Sequence, residues 1–276
     1  MNCELKKILL TIDIGNSTIG LGLFPEPEKD GNIFIKKIPA YPARTAAHYK
    51  KVITAFIKKN IAISHEPSVF IDAVISSVVT ALTGPIREAV RDICGKRPLT
   101  VSHKIKSGLT FEVLQPGKVG ADRIANAVGG YHAAGGPAAV VDFGTATTMT
   151  VVGENARFLG GVIMPGLQLM QKALAQETAR LPRVPLTAQQ AVLGRDTASA
   201  IRSGIIHGTA GAVETLLKKI EKELGYKVQL VLTGGNAKLL SPLMERRHLF
   251  IPPLTFQGLR LIYLSNRGLR PSLHKP

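Results

Sequence analysis

The chain has 276 residues, with 35 basic against 19 acidic side chains and a formal net charge of +16. That length allows one large domain or two of moderate size, and 45% hydrophobic against 20% charged residues excludes a disordered protein. The only cysteines, Cys3 and Cys94, exclude a disulfide scaffold and show no metal-ligand spacing.

No apolar run reaches the roughly 18 residues that a membrane span needs. The run beginning at Ile8 is broken by Asp13 with no small-residue cleavage site after it, unlike a secretory signal. The expectation is a reduced, cytoplasmic enzyme or binding protein with no membrane partner. The positive balance suits a nucleic acid, an anionic substrate or simply a basic surface. Lysines come as scattered doublets such as Lys36-Lys37 and Lys218-Lys219, and after Glu245 only basic charges follow: Arg246, Arg247, Arg260, Arg267, Arg270 and Lys275. Aromatics are 5% and Trp is absent, so the stacking platforms of single-strand binders are missing. No helix-turn-helix, RNP or zinc pattern accompanies the charge, and a solvated basic surface is favoured over a nucleic-acid groove.

In chain order, residues 7–14 form a β-rich run ending in Asp13-Ile14-Gly15-Asn16-Ser17, and a second apolar run over 18–24 follows at once. The pair predicts a hairpin with Gly15-Asn16 at its turn. Residues 32–38 alternate and add a third antiparallel strand. Over 46–59, Val52, Ile53, Phe56 and Ile57 stand at helical spacing among basic residues, which predicts an amphipathic helix. Residues 69–79 are a continuous, β-branched apolar run of the kind found in buried strands. A helix over 82–93 ends at Gly95.

After loop and short strand at 107–120, helix formers fill 121–134 and Gly135-Gly136-Pro137 stops them. Residues 138–143 predict a buried strand ending in Asp142-Phe143-Gly144-Thr145-Ala146-Thr147-Thr148. Strands through 152 and over 157–164, helices over 166–178 and 197–224, and a strand over 229–233 closed by Gly234-Gly235-Asn236 complete the pattern.

The openings Asp13-Ile14-Gly15-Asn16-Ser17-Thr18 and Asp142-Phe143-Gly144-Thr145-Ala146-Thr147 share strand, Asp, Gly, polar turn and outgoing strand. A repeat at half the chain length implies two like domains, 1–136 and 137–276, since solenoid periods are only about 20–50 residues. A strand ending in Asp and turning through Gly sets a carboxylate beside exposed backbone N–H groups, which bind anions, while the Asp can hold Mg²⁺ through water. Gly and Asn favour such turns for local reasons too; the repetition at matching positions is what points to a nucleotide. No Walker loop occurs.

The set Asp13-x-Gly15-Asn16, Gly120-Ala121-Asp122-Arg123, Asp142 to Thr148, Gly160-Gly161-x-x-x-Pro165-Gly166 and Thr178-Ala179-Arg180-Leu181-Pro182 resembles the type III pantothenate kinases. They lie within the wider actin-like, hexokinase and Hsp70 group of ATP-binding folds. The resemblance runs in order from Asp13 to Gly258-Leu259. It implies an α/β fold of two RNase H-like domains related by duplication, with an interdomain ATP cleft, and ATP-dependent phosphorylation of pantothenate, the first step of coenzyme A synthesis. It also implies Mg²⁺, a monovalent cation (K⁺ or NH₄⁺) and a homodimer.

Carried over by position, Asp13, Ile14, Gly15, Asn16, Ser17, Thr18, Ile19 and Gly20 resemble the ATP phosphate loop, with Asp13 serving Mg²⁺. Gly120, Ala121, Asp122 and Arg123 resemble the substrate motif, with Asp122 as catalytic base. Asp142 is similar to the monovalent-cation ligand, Thr145 to a second ATP contact and Thr197 to a substrate contact. The pattern departs at Val113, where a Tyr is common, at His207, where an aromatic is usual, and at Gln257, which stands for a Glu. Those departures keep open a kinase of the same fold acting on another hydroxy acid, and, from another class, a nucleotide-responsive regulator using its basic surface on nucleic acid. Each residue also has a plainer role: Asp122 suits a helix start, where helix N–H groups would keep it ionised. Asp142 suits a turn, Thr197 a helix cap and His207 a packed interior.

Overall fold

The computed structural model describes residues 6–26, 33–61, 69–188 and 191–269; Cys3, Asn32, Arg270 and Lys275 lie outside them. A first sheet is built from β1 (Lys6–Ile14), β2 (Thr18–Glu26), β3 (Phe34–Pro39), β4 (Val69–Ser77) and β5 (Leu99–Thr100). Its order is β3-β2-β1-β4-β5. β1, β2 and β3 pair antiparallel, whereas β4 and β5 continue in parallel. A central strand buries both faces, so its sequence reads as an almost unbroken apolar run. In β1, Ile8, Leu10, Ile12 and Ile14 face one core, and Leu9 and Thr11 are also buried.

That core is covered by α1 (Ala46–Asn60) and α2 (Thr80–Cys94). The Thr45 hydroxyl caps α1 by accepting from the His48 amide at 3.3 Å, which satisfies one of the end donors that a helix cannot pair internally. Tyr49, Ile53, Phe56 and Ile57 of α1 and Leu82, Ile86, Ala89 and Val90 of α2 are the buried stripes. Each fully buried Leu or Ile contributes about 1.5–3 kcal/mol.

The second sheet holds β6 (Thr110–Phe111), β7 (Ala138–Phe143), β8 (Ala146–Val152), β9 (Arg157–Pro165), β10 (Gln229–Thr233) and β11 (His248–Phe250), in the order β11-β10-β7-β8-β9-β6. The remaining helices are α3 (Ala121–Ala134), α4 (Leu167–Gln176), α5 (Thr197–Leu224), α6 (Ala237–Leu240) and α7 (Leu254–Asn266). With β6 set aside, the order β9-β8-β7-β10-β11 and its strand directions repeat the first sheet strand for strand. The duplication read from two Asp-Gly turns is thus a duplication of topology.

The compact units do not part once near residue 136. One takes Met1–Gly108, Gln115–Gly129 and Thr255–Pro276, and the other takes Leu109–Leu114 and Gly130–Leu254. α7 therefore completes the first unit. It packs Phe256 over Gly20 and Gly22 of β2, where a Cβ would come within 2.7 Å of the ring and 2.5 Å of the Thr11 hydroxyl. Further along α7, Tyr263 donates to the buried Asp72 of β4 at 2.5 Å, and Asp72 also accepts from Lys96 at 2.5 Å and Arg267 at 3.2 Å. Burial alone would raise the Asp72 carboxyl, yet those hydrogen bonds and positive charges hold it below its usual range.

In the second unit, buried Glu221 of α5 accepts from Lys227 and Arg246, each at 2.7 Å. Arg246, Arg267 and Lys96 are therefore occupied by internal carboxylates, which removes part of the free basic surface expected from the sequence. Among the described residues no helix is long and apolar enough to cross a membrane.

Candidate active site

In the first unit, β1 delivers Asp13 to the end of the sheet. The turn is closed by the Gly15 amide donating to the Thr18 carbonyl at 3.0 Å, with Asn16, Ser17 and Thr18 exposed. Ile14 and Ile19, by contrast, are buried in the core at 0% and 1% exposure, so in this stretch they can offer a ligand only backbone atoms. Gly20 is paired with Asp13 across the hairpin, and its missing side chain is the space that Phe256 fills. Its absence of a Cβ thus has a packing cause as well as the expected phosphate-loop one.

The start of α3 converges on the same end of this sheet. The Val78 amide, just past β4, donates to Ile14 at 3.1 Å, and Val78 lies against Gly120. Gly120 is required by closeness: a Cβ there would stand 2.5 Å from the Asp122 carboxylate. That carboxylate accepts the Arg123 amide at 2.7 Å. Burial pushes the Asp122 carboxyl up from its usual value, opposed by the amide and the positive charge of Arg123. This corrects the expectation from the helix start alone: desolvation outweighs the N–H groups there, and a raised pKa makes the group a better proton acceptor. Asn126, one turn on and buried, accepts from Thr255 of α7 at 2.8 Å. Gly258 lets α7 press on the backbone of Ala125, whose carbonyl carbon a Cβ would meet at 2.7 Å. Thr255 and Gly258 thereby fix the first turns of α3, a role the sequence reading missed because it saw no helix at 254–266.

In the second unit, Asp142 ends β7 between Thr148 of β8 and Thr233 of β10. Its turn is closed by Gly144 donating to the Ala146 carbonyl at 3.2 Å, and exposed Thr145 accepts the Gly166 amide at 3.1 Å. Gly234, at φ +97°, crowds this end; a Cβ there would collide with the Asp142 carboxylate and stand 2.6 Å from the Phe143 amide. Asn236 donates through its backbone and side chain to the Phe143 carbonyl, at 3.0 and 3.1 Å. Its amide also exchanges hydrogen bonds with Gln168 at 2.9 and 3.1 Å. Asn236 was visible in the sequence beside Gly234-Gly235; Gln168 carried no signal.

The remaining candidates sit in the second unit as well. Thr197 is exposed in the first turn of α5, but the cap is Asp196, which accepts the Ser199 amide at 2.9 Å. Thr197 is thus not the capping residue. Val113 lies against Gly160, and His207 is half-buried on α5.

A sequence profile described as type III pantothenate kinase matches residues 9–219. The chain belongs to the type III pantothenate kinase family. A family protein of that name from Agathobacter rectalis is 33% identical over 258 residues, covering 93% of this chain and 96% of its own length. Among solved structures, a Baf family protein from Campylobacter jejuni superposes with a TM-score of 0.59 at 19% identity, over 94% of this chain and 100% of that one. Ethanolamine utilization protein EutJ from Carboxydothermus hydrogenoformans gives 0.51 at 14% identity, over 92% and 89%. Those two likenesses show the fold alone. With the repeated strand order, they agree with an α/β fold of two like halves.

Proposed function

We propose that the chain transfers the γ-phosphoryl group of ATP to the primary hydroxyl of pantothenate. The hydroxyl oxygen bonds to the γ-phosphorus, the bond from that phosphorus to the β–γ bridging oxygen breaks, and ADP leaves. The hydroxyl proton passes to Asp122. The observation that carries the reading is the family match together with the half-buried Asp122 carboxylate at the start of α3. Phosphoryl transfer is loose and asks the protein mainly for alignment and charge neutralisation. The exposed hairpin turns after Asp13 and Asp142 supply backbone N–H groups for the phosphates.

Among the described residues no cluster of three or more His, Cys, Asp or Glu could hold a metal. That suits Mg²⁺, which commonly takes one or two carboxylates plus substrate phosphates and waters, with Asp13 as the protein's contribution. When bound, Mg²⁺ neutralises phosphate charge. The monovalent cation is assigned to Asp142, where Gly144 and Gly234 leave out the side chains that would fill the space beside the carboxylate. A homodimer belongs to the same reading, and sedimentation tests it.

ADP release by the purified protein, with and without pantothenate, tests the function. Asp122→Asn should lower kcat by about 10²–10⁴-fold, the usual contribution of a general base, with ATP binding little changed. Turnover should fall on the acid side as pH drops through a value above the ordinary Asp pKa of about 3.9. The stability sign runs the other way. Folding raises this pKa, so the carboxyl's stabilising contribution is full below about 3.9 and is lost as pH rises through the folded value. Asp122→Asn should therefore be at least as stable as the parent at neutral pH. Retained turnover would remove Asp122 as the base.

A further inference from the structure

Ser76 of β4 is fully enclosed, at 0% exposure, and its hydroxyl has no hydrogen-bond partner among the described residues. Buried hydroxyls are almost always paired, and one left alone in a native fold calls for a reason. The location supplies it. β1 and β4 run parallel with Asp13 directly beside Ser76, and residues in register on neighbouring strands project from the same face of a sheet. On the other side of Asp13, that face holds Gly20 and the Phe256 ring that covers it. In register, Asp13 thus stands between Gly20 with its covering ring and the Ser76 hydroxyl.

The duplicated half provides an internal control. There the strand pair β7 and β10 sets Thr233 beside Asp142, as β1 and β4 set Ser76 beside Asp13. Thr233 is buried too, at 1% exposure, but its hydroxyl donates to the Pro252 carbonyl at 3.4 Å. Both halves thus place a buried hydroxyl next to the hairpin aspartate. Only the second gives it a fixed partner within the protein.

We propose that Ser76 is a positioning residue for Asp13, donating its O–H to the Asp13 carboxylate when that carboxylate turns to serve nucleotide-bound Mg²⁺. The inference rests on the reading of Asp13 as the residue serving Mg²⁺. A carboxylate has acceptor sites for several donors at once, so one side can face the metal's water while the other accepts from Ser76. A hydrogen bond to an ionised acceptor is about twice as strong as a neutral one. The hydroxyl is unpaired in the free protein because its work is done in the liganded one.

The test measures ATP binding by calorimetry, with Mg²⁺ and with EDTA, on the parent, Ser76→Ala, Ser76→Cys, Asp13→Asn and the double variant Asp13→Asn/Ser76→Ala. Thermal unfolding without ligand is recorded alongside. Ser76→Ala should bind Mg·ATP about tenfold more weakly, from the loss of one charge-assisted hydrogen bond. Binding in EDTA should change little, and the free protein should be as stable as the parent or more so, because an unpaired polar group has been removed. Ser76→Cys, similar in size but a weak donor, should follow Ser76→Ala and guards against a packing artefact.

In the Asp13→Asn background, the Ser76→Ala change should add little, since the acceptor's charge is already gone. Unchanged Mg·ATP affinity in Ser76→Ala and Ser76→Cys, with Asp13→Asn impaired, overturns the role of Ser76 alone. Mg²⁺-dependent binding that survives Asp13→Asn overturns the assignment of Asp13 beneath it. A clear loss of stability in free Ser76→Ala also refutes the proposal, because it would mean the hydroxyl serves the unliganded fold.

Discussion

The two hairpins share a strand order and an aspartate, yet they are braced in opposite ways. The turn after Asp142 is tied down by short polar contacts: Gly166 on Thr145, Asn236 on Phe143, Gln168 on Asn236, with Gly234 packed hard against the aspartate. The turn after Asp13 is exposed, and its support comes from behind, through the Phe256 ring lying on Gly20 and Gly22. Behind the second hairpin the contacts are hydrogen bonds to the backbone just past Asp142. Behind the first hairpin the contact is an aromatic ring on glycine backbone. The duplicated scaffold is the same, and the packing behind each turn differs.

The largest effect should come from removing the backing of the first hairpin. Phe256→Ala deletes a nearly buried ring and should cost about 3–5 kcal/mol in unfolding free energy, as other buried aromatic truncations do. Denaturant unfolding checks this. A cost below 1 kcal/mol, by the same scale of core truncations, would mean that the ring does not support the hairpin.

Next comes the brace of the second hairpin. Gly234→Ala combines a left-handed backbone with a collision against Asp142 and Phe143, and should cost about 2–4 kcal/mol from strain and overpacking together. Gly15→Ala occupies the corresponding first turn, where a Cβ would meet only the Thr18 carbonyl at 3.2 Å. It should cost well under half as much, and equal costs would erase the contrast between the two turns.

The smallest effect is on ion choice. Turnover should be a few-fold faster in K⁺ or NH₄⁺ than in Na⁺, and Asp142→Ala should remove that difference while leaving the Mg²⁺ requirement in place. Equal rates in the three salts for the parent protein would take the resident cation away from the braced hairpin.

Much of this arrangement is legible from the chain. The runs at 7–14, 138–143 and 229–233 announce buried strands, because central strands need apolar residues on both faces. The α3 and α5 boundaries fall where Gly120 and Asp196 begin them and Gly135 and Gly225 end them. The two-residue β5 and three-residue β11 are too short to carry a period, so they left no trace. α7 was obscured for a different reason. Its buried residues Phe256, Leu259, Ile262 and Tyr263 are interrupted by Gly258 and accompanied by arginines, which read as a basic tail.

In the candidate site, the strand-end positions of Asp13 and Asp142 are readable because Asp-Gly turns have local signatures. The Ser76 register and the Gln168–Asn236 exchange were not, since they depend on which strand or helix ends beside which. Nor could spacing show that burial outweighs the helix N–H groups at Asp122.

The return of α7 to the first unit also sets a timetable for biosynthesis. Asp72 and its partner Tyr263 are 191 residues apart in the chain, and translation at about 5–20 residues per second separates their emergence by roughly 10–40 s. Through nearly all of that interval the nascent first unit lacks the ring over Gly20 and Gly22, and Asp72 has Lys96 but neither the Tyr263 hydroxyl nor the Arg267 cation. The hairpin after Asp13 thus leaves the ribosome long before the α7 ring that completes its packing. Any chaperone acting on this protein during synthesis would meet that uncovered β2 face.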